Sequence, residues 1–328
     1  SEGEIKMRYK HFKNAGVEAS ALTVGTWAIG GANSAGVSWG EVDDKQSIYA
    51  IHAMLDNGVN MIDTAPVYGE GHSEIVVGQA LKGRRDKVLL TTKFGTYINH
   101  FTGKSVRDCK YNTVEREIDE SLARLQTDYI DFYVMHWPDV NTPIEETMAA
   151  VNMLKEKGKV RFIGMSNSSK ELIMEAQKYA RIDVIQLPYS MVNQSYKELM
   201  QWAETQGIAT MAYGSLGAGI LTGTIRKCPE YDPKDMRLVF YPFFKEPEFS
   251  KIMELLKTLD KIAAKYDKPV AQVSINWSTQ KSYVGTALTG VMTPEQANEN
   301  CSAFDWSLSE EDINLIDSEI ERLGIGKY

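Results

Sequence analysis

With 328 residues, the chain can make one large domain or two smaller ones, and 43% apolar with 24% charged residues suffices for a full core under an ordinary charged surface. The net charge of −8 comes without a lysine- or arginine-rich run, which argues against a nucleic-acid partner, and no apolar stretch approaches a membrane span in length. Cys109, Cys228 and Cys301 are far apart, odd in number and without metal-ligand spacing, so reduced thiols in a cytoplasmic protein are expected and no metal. Residues 1–6 lack the apolar region of a secretory signal, and Ser1 in place of Met reads as a cleaved or processed end.

Residues 8–20 read as two extended segments around Lys13-Asn14-Ala15-Gly16, a hairpin. A strand at 22–25 runs into the loop Thr26-Trp27-Ala28-Ile29-Gly30-Gly31. Asp43 and Asp44 can start a helix that Asn57-Gly58 stops, and a strand follows at 59–62. The alternation then continues: helix 73–82, strand 88–93, a loop of 19 residues, and helix 113–125 capped by Asn112 or Thr113. Strand 129–135, helix 143–157, strand 160–165, helix 169–179, strand 184–187, helix 195–205 and strand 208–213 come next. A long aromatic segment, 214–248, reads as a lid or cofactor loop. Helices 249–265 and 269–279, a strand near 283–289, helix 294–301 and helix 309–321 close the chain.

Eight strand-then-helix units follow the hairpin, and the apolar strands alternate little, as strands buried on both faces do. The expectation is a single (β/α)8 barrel domain over 1–328, with an N-terminal β-hairpin and a long loop after the seventh barrel strand.

In such a barrel, chemistry sits where strands end and loops begin. Asp63, Lys93 and His136 each fall at the C-terminal end of a predicted strand, and Tyr68 falls in the loop after one. A lysine ending a strand is as often a solvated surface residue. Paired with Asp63, however, its ammonium would favour the Tyr68 phenolate, lower the phenol's pKa and make the tyrosine a general acid. His136 could cap its strand, but beside Trp137 it suits orienting a carbonyl oxygen. The glycine-rich run 214–223 offers backbone N–H groups to phosphate oxygens, a weak signal alone. Tyr213 could stack on a planar ring or pack in the core. Ser166, Asn167 and Gln186 suit a carboxamide, although each alone is more often a cap or surface residue.

At these residues the sequence resembles the aldo-keto reductase family. The resemblance covers nearly the whole chain. It includes Gly25-Thr26-Trp27, Asp63-Thr64-Ala65-Pro66-Val67-Tyr68-Gly69, Thr92-Lys93, His136-Trp137-Pro138-Asp139, Gly164-Met165-Ser166-Asn167 and 296–300. It is similar to bacterial NAD(P)H-dependent reductases of methylglyoxal, other small aldehydes and sugars. The resemblance implies an oxidoreductase moving a hydride between a nicotinamide cofactor and a small aldehyde, ketone, sugar or polyol. Asp63, Tyr68, Lys93 and His136 would be its catalytic tetrad, with Trp27 and Trp137 beside Tyr68 and His136 on the substrate. The cofactor would lie along Gly25, Thr26, Trp27 and Asp63. Ser166, Asn167 and Gln186 would hold the carboxamide, and Tyr213 would stack on the nicotinamide. The loop with Gly214, Ser215, Leu216, Gly217, Gly219 and Leu221 would cover the pyrophosphate. Gly290, Met292, Gln296, Glu299 and Asn300 would meet the adenosine half.

Two departures from the family pattern stand out. The family's Tyr-Ser-Pro-Leu is here Tyr213-Gly214-Ser215-Leu216, which puts a serine contact to the pyrophosphate in doubt. The stretch 289–296, where NADPH-preferring relatives carry a base, has none and adds Glu295. A 2′-phosphate left unpaired near a carboxylate is costly, so NAD(H) is the expected cofactor and NADP(H) the second choice, unless Arg226, Lys227 or Arg237 on the long loop reaches it. A Schiff-base lyase using Lys93 and a nicotinamide-binding regulatory subunit, as in ion-channel β-subunits of the family, are the alternatives. A homo-oligomer is compatible with the sequence, which does not identify the substrate.

Overall fold

The computed structural model describes residues 6–34, 36 and 39–327; Ser1 to Ile5, where the reading of the N-terminus falls, lie outside the described residues. The hairpin is β1 (Tyr9–Phe12) and β2 (Val17–Ser20), paired antiparallel around the expected turn. The barrel strands are β3 (Leu22–Gly25), β4 (Met61–Asp63), β5 (Leu89–Phe94), β8 (Ile130–Met135), β9 (Val160–Ser166), β10 (Val184–Pro188), β11 (Ala209–Tyr213) and β12 (Thr286–Gly290). They close into one barrel of parallel neighbours, β12 pairing with β3 to complete the ring. These strands are apolar and buried on both faces because the barrel interior takes one face and the helices take the other.

The helices are α1 (Asp44–Asp56), α2 (His72–Ala80), α3 (Tyr111–Leu125), α4 (Ile144–Glu156), α5 (Lys170–Ala176), α6 (Lys197–Thr205), α7 (Met236–Phe240), α8 (Glu248–Tyr266), α9 (Val270–Thr279), α10 (Pro294–Cys301) and α11 (Glu310–Leu323). Asp43 caps α1 by accepting from the Lys45 and Gln46 amides, and Ser309 caps α11 by accepting from the Asp312 amide. None of the described helices is long and apolar enough to cross a membrane.

Three expectations need correction. The loop expected between the third barrel strand and α3 folds into a second hairpin, β6 (Thr96–Asn99) with β7 (Lys104–Arg107). Helix α3 starts at Tyr111 with no side-chain cap; the Thr113 hydroxyl instead donates to Asp108 at 3.0 Å. Helix α5 stops at Ala176, short of 179, in a run of turns.

The N-terminal hairpin seals the end of the barrel where the strands begin. Phe12 is buried edge-on to Phe132 of β8, 6.0 Å between centroids, and Phe132 packs on Phe162 of β9 at 5.0 Å. A Cβ on Gly285 would meet the Phe12 ring at 2.9 Å, so glycine there makes room for the plug. The chemistry is left to the opposite end.

Candidate active site

Asp63 is the last residue of β4, Lys93 lies one residue before the end of β5, and His136 follows β8, its amide donating to the Phe94 carbonyl at 3.0 Å. Parallel pairing of the strands brings the three to one mouth. Lys93 is 0% exposed and Asp63 1%. The Lys93 ammonium uses all three of its protons: one to Asp63 Oδ1 at 2.6 Å, one to the Thr64 carbonyl at 2.9 Å, one to the Tyr68 hydroxyl at 3.1 Å. The other Asp63 oxygen accepts from Gln186 Nε2 at 2.8 Å. A buried ion pair survives only when its remaining donors and acceptors are met, and here they are.

Tyr68 is set by the turn that follows β4. Its amide donates to the Ala65 carbonyl, and Gly69, Glu70 and Gly71 then take left-handed φ values of 58°, 53° and 99°. Glu70 bears that conformation because its carboxylate accepts from the Ser34 amide at 3.1 Å and hydroxyl at 2.8 Å. Gly30 packs directly against this turn: a Cβ there would sit 2.7 Å from the Tyr68 carbonyl carbon. Beneath it, Thr26 donates its hydroxyl to the Asp63 carbonyl at 2.8 Å, and Ser73 reaches Thr26 and Thr64. The Tyr68 ring stacks on Trp27 at 6.0 Å and meets His136 edge-on at 5.9 Å.

Burial pushes the Tyr68 phenol well above its ordinary pKa, and the Asp63 charge pushes it further. The expected lowering by Lys93 is therefore not met in this structure. Asp63 lies against the same ammonium, so the pair presents little net charge to the phenol and burial decides. Burial also pulls Lys93 down and lifts Asp63, each partner's charge pulling back. Burial, followed by the charges of Lys93 and Arg107, holds His136 well below the ordinary imidazole value, so it is neutral at pH 7.

A model of the Aldo/keto reductase family matches residues 21–321. The chain belongs to the aldo/keto reductase family. It is 38% identical to aldo-keto reductase YhdN of Bacillus subtilis, over 96% of this chain and 94% of that one. It is 34% identical to an NADH-specific methylglyoxal reductase of Escherichia coli, over 94% and 96%. Among solved structures it resembles the glycerol dehydrogenase AKR11B4 of Gluconobacter oxydans, with TM-score 0.85, 33% identity and coverage of 98% and 96%.

In this aldo/keto reductase the other expected site residues divide. Gly25 is half-buried at the end of β3, and Gly290 is exposed at the end of β12. A Cβ on Gly214 or Gly290 would meet nothing within 4 Å, so open space lies along both strand ends. Left-handed turns at Gly214, Gly217, Ala218 and Gly219 line one side. A ligand backbone could approach both strand ends without meeting a side chain there. Asn167 is also left-handed at φ 53°; its amide donates to the His136 carbonyl and Ser166 Oγ at 3.0 Å, and its oxygen accepts from the Tyr213 hydroxyl at 2.8 Å. Tyr213 is half-buried above this knot.

Other expected contacts are turned inward. Ser215 is buried and donates to the Leu288 carbonyl at 2.6 Å, so its hydroxyl is spent on β12 rather than aimed at a pyrophosphate. Leu221 is wholly buried, Leu216 half-buried, and Gln186 donates to Asp63 rather than standing free at the mouth. Thr26 likewise lies under Asp63. Toward the adenosine end, Gln296 accepts from the Met292 amide at 2.8 Å, Glu299 is exposed, and Asn300 is buried. Arg226 forks onto Asp260 at 2.7 and 2.9 Å, and Arg237 pairs with Asp235. Trp137 is half-buried with the Arg107 guanidinium 4.8 Å from its ring centroid.

Sequence reasoning missed Trp39, which meets Trp27 edge-on at 5.2 Å and Tyr241 at 6.3 Å. Phe240 also lies edge-on to Trp27 at 5.3 Å, so α7 of the long loop packs on that indole. Phe243 and Phe244, farther along the same loop, are buried in the core. Trp39 sits in a glycine- and serine-rich stretch with no periodicity to mark it.

Proposed function

We propose that the chain moves a hydride between a nicotinamide cofactor and the carbonyl of a small aldehyde, ketone or sugar, with Tyr68 as proton donor. The observation that carries this reading is the buried contact of Lys93 with both Asp63 and the Tyr68 hydroxyl. A phenol with a raised pKa stays protonated and can donate. When it gives its proton to the carbonyl oxygen, the phenolate forms 3.1 Å from an ammonium already held in place, which needs no reorganisation. Neutral His136, edge-on to the same ring, can donate a hydrogen bond to that oxygen and fix its side of approach. Trp27 covers one face of the Tyr68 ring and is itself packed by Trp39 and Phe240. A nicotinamide bound beside Asn167 and Tyr213 would supply the hydride.

The cofactor half favours NAD(H). Residues 289–296 carry no base and one carboxylate, and Arg226 and Arg237 are committed to Asp260 and Asp235. Similarity to an NADH-specific reductase supports the same preference. A Schiff-base role for Lys93 is disfavoured, because all three ammonium protons are engaged and a nucleophilic amine must be free of them. A panel of carbonyls and polyols with NADH and NADPH tests the reading. Turnover by the wild type, its loss in Tyr68→Phe with nucleotide binding retained, and higher kcat/KM with NADH are expected. Undiminished turnover in Tyr68→Phe removes the assigned acid, nucleotide binding without any turnover favours a regulatory subunit, and a strong NADPH preference removes the cofactor assignment.

A further inference from the structure

At the closed end of the barrel, far from the tetrad in the fold, lies a recess of about 410 Å³ lined by Arg8, Lys10, Thr279, Gln280, Ser282 and Ser307. Every lining residue is a cation, a hydroxyl or an amide; no carboxylate and no large apolar side chain lines it. Arg8 and Lys10 are two apart at the start of the β1 strand, so they project from one face of it.

Neither cation has a carboxylate within ion-pairing distance among the described residues. The Arg8 guanidinium donates only to neutral acceptors, at long distances: Thr279 Oγ1 at 3.2 Å, Asn276 Oδ1 at 3.3 Å and Ser307 Oγ at 3.4 Å. Charge-assisted bonds are normally shorter than this. Two of the five guanidinium protons are left over. Lys10 Nζ donates to the Lys281 carbonyl at 2.8 Å and the Val284 carbonyl at 2.5 Å, leaving its third proton unassigned. The carboxylate whose charge acts on Lys10 is Glu204 of α6, which accepts from the Ser282 hydroxyl at 3.2 Å. Two half-buried cations therefore lie in a lining that holds no carboxylate.

We propose that this recess binds a phosphoryl-type oxyanion, with Arg8 and Lys10 supplying charge and their spare N–H groups and Ser307 a hydroxyl donor, since the Ser282 and Thr279 hydroxyl protons already go to Glu204 and the Ile275 carbonyl. The recess is shallow and open to solvent, with room for a phosphate group whose remaining oxygens stay in water. The site joins residues from the first and the last parts of the chain, so its occupancy ties the N-terminal plug to α9 and the segment before α11. The electrostatics of the two cations favour an anion between them. Burial, and then the charge of Arg8, bring Lys10 down to about 8, with Glu204 opposing, and burial lowers Arg8 as well. A bound anion would reverse both effects.

Thermal unfolding of the full chain, with inorganic phosphate or glycerol 3-phosphate exchanged for chloride at constant ionic strength, tests this, together with calorimetric titration of each. A saturable rise in Tm with a matching heat is expected for the wild type, on top of the general stabilisation that phosphate gives any protein. The saturable part should shrink as pH rises through 8, where unliganded Lys10 loses its proton. Ser307→Asp places a carboxylate beside Arg8 at an exposed position, so that variant should fold at least as stably and lose the saturable part. Arg8→Gln should lose it also. A response to inorganic phosphate alone identifies the free ion as ligand, and a response to both identifies the phosphoryl group of larger molecules as well. No saturable response to either, or an equal one in wild type and Ser307→Asp, overturns the proposal and leaves Arg8 and Lys10 as a latch.

Discussion

Lys93 shows what the site demands of single residues. Its ammonium is stable in the barrel only because Asp63 lies against it, and removing either partner strands a charge. Lys93→Met should lose about 3–5 kcal/mol of stability, the cost of an unpaired buried charge, whereas Lys93→Met with Asp63→Asn should recover much of it. Both variants should lack turnover, so urea unfolding separates the structural role from the chemical one. Arg107 acts on His136 from outside. Its charge adds to that of Lys93 and to burial in keeping the imidazole neutral. Arg107→Gln should raise the His136 pKa, so the protonated ring persists to higher pH and the acid limb of the kcat/KM profile moves upward. Following the imidazole resonances of His136 by NMR checks this directly; an unmoved titration means that the Arg107 charge is fully screened. Asp63, Lys93 and His136 were legible in the sequence because each interrupts an apolar strand where a barrel strand should end. Arg107 was not, since nothing in a polar segment tells which base will lie over Trp137.

Elements decide how well those residues are aimed. The turn carrying Tyr68 is pinned by contact with Gly30, whose own φ is ordinary; only the lack of a side chain matters there. Gly30→Ala should displace the Tyr68 backbone and cut kcat on the order of 100-fold, as small misplacements of catalytic groups do. Circular dichroism and Tm should show a folded protein, and an unchanged kcat would mean that the turn yields without moving the hydroxyl. The barrel strands could be read from sequence because burial on both faces leaves continuous apolar runs. The β6–β7 hairpin could not. Most of its residues face solvent, its strands have four residues each, and its connection holds only polar residues and Phe101. Neither alternation nor an apolar run marks such a ribbon. The inward turn of Ser215 was equally hidden, because it depends on β12 lying alongside.

At the scale of the whole molecule, the two ends of the barrel have separate duties. Phe12 fills the closed end against Phe132 and makes no contact with the tetrad. Phe12→Ala should therefore cost about 3–5 kcal/mol by opening a cavity, with kcat/KM preserved at temperatures where the variant remains folded. A parallel loss of turnover at low temperature would show that the plug also shapes the mouth. The hairpin itself was legible from its turn, but its docking was not, because its partners, among them Gly58, Asn60, Phe132 and Lys281, are scattered along the chain.

That docking has a consequence for how the chain comes into being. The first barrel strand finds one of its neighbours only in β12, Leu22 facing Ala287, and Lys10 reaches its carbonyl partners at Lys281 and Val284. A ribosome delivers those partners after most of the protein has already emerged. Until then the edges of β3 and β11 stay open, with unpaired amides and carbonyls along both. Ring closure thus waits for β12, and the half-made barrel is the form most exposed to mispairing.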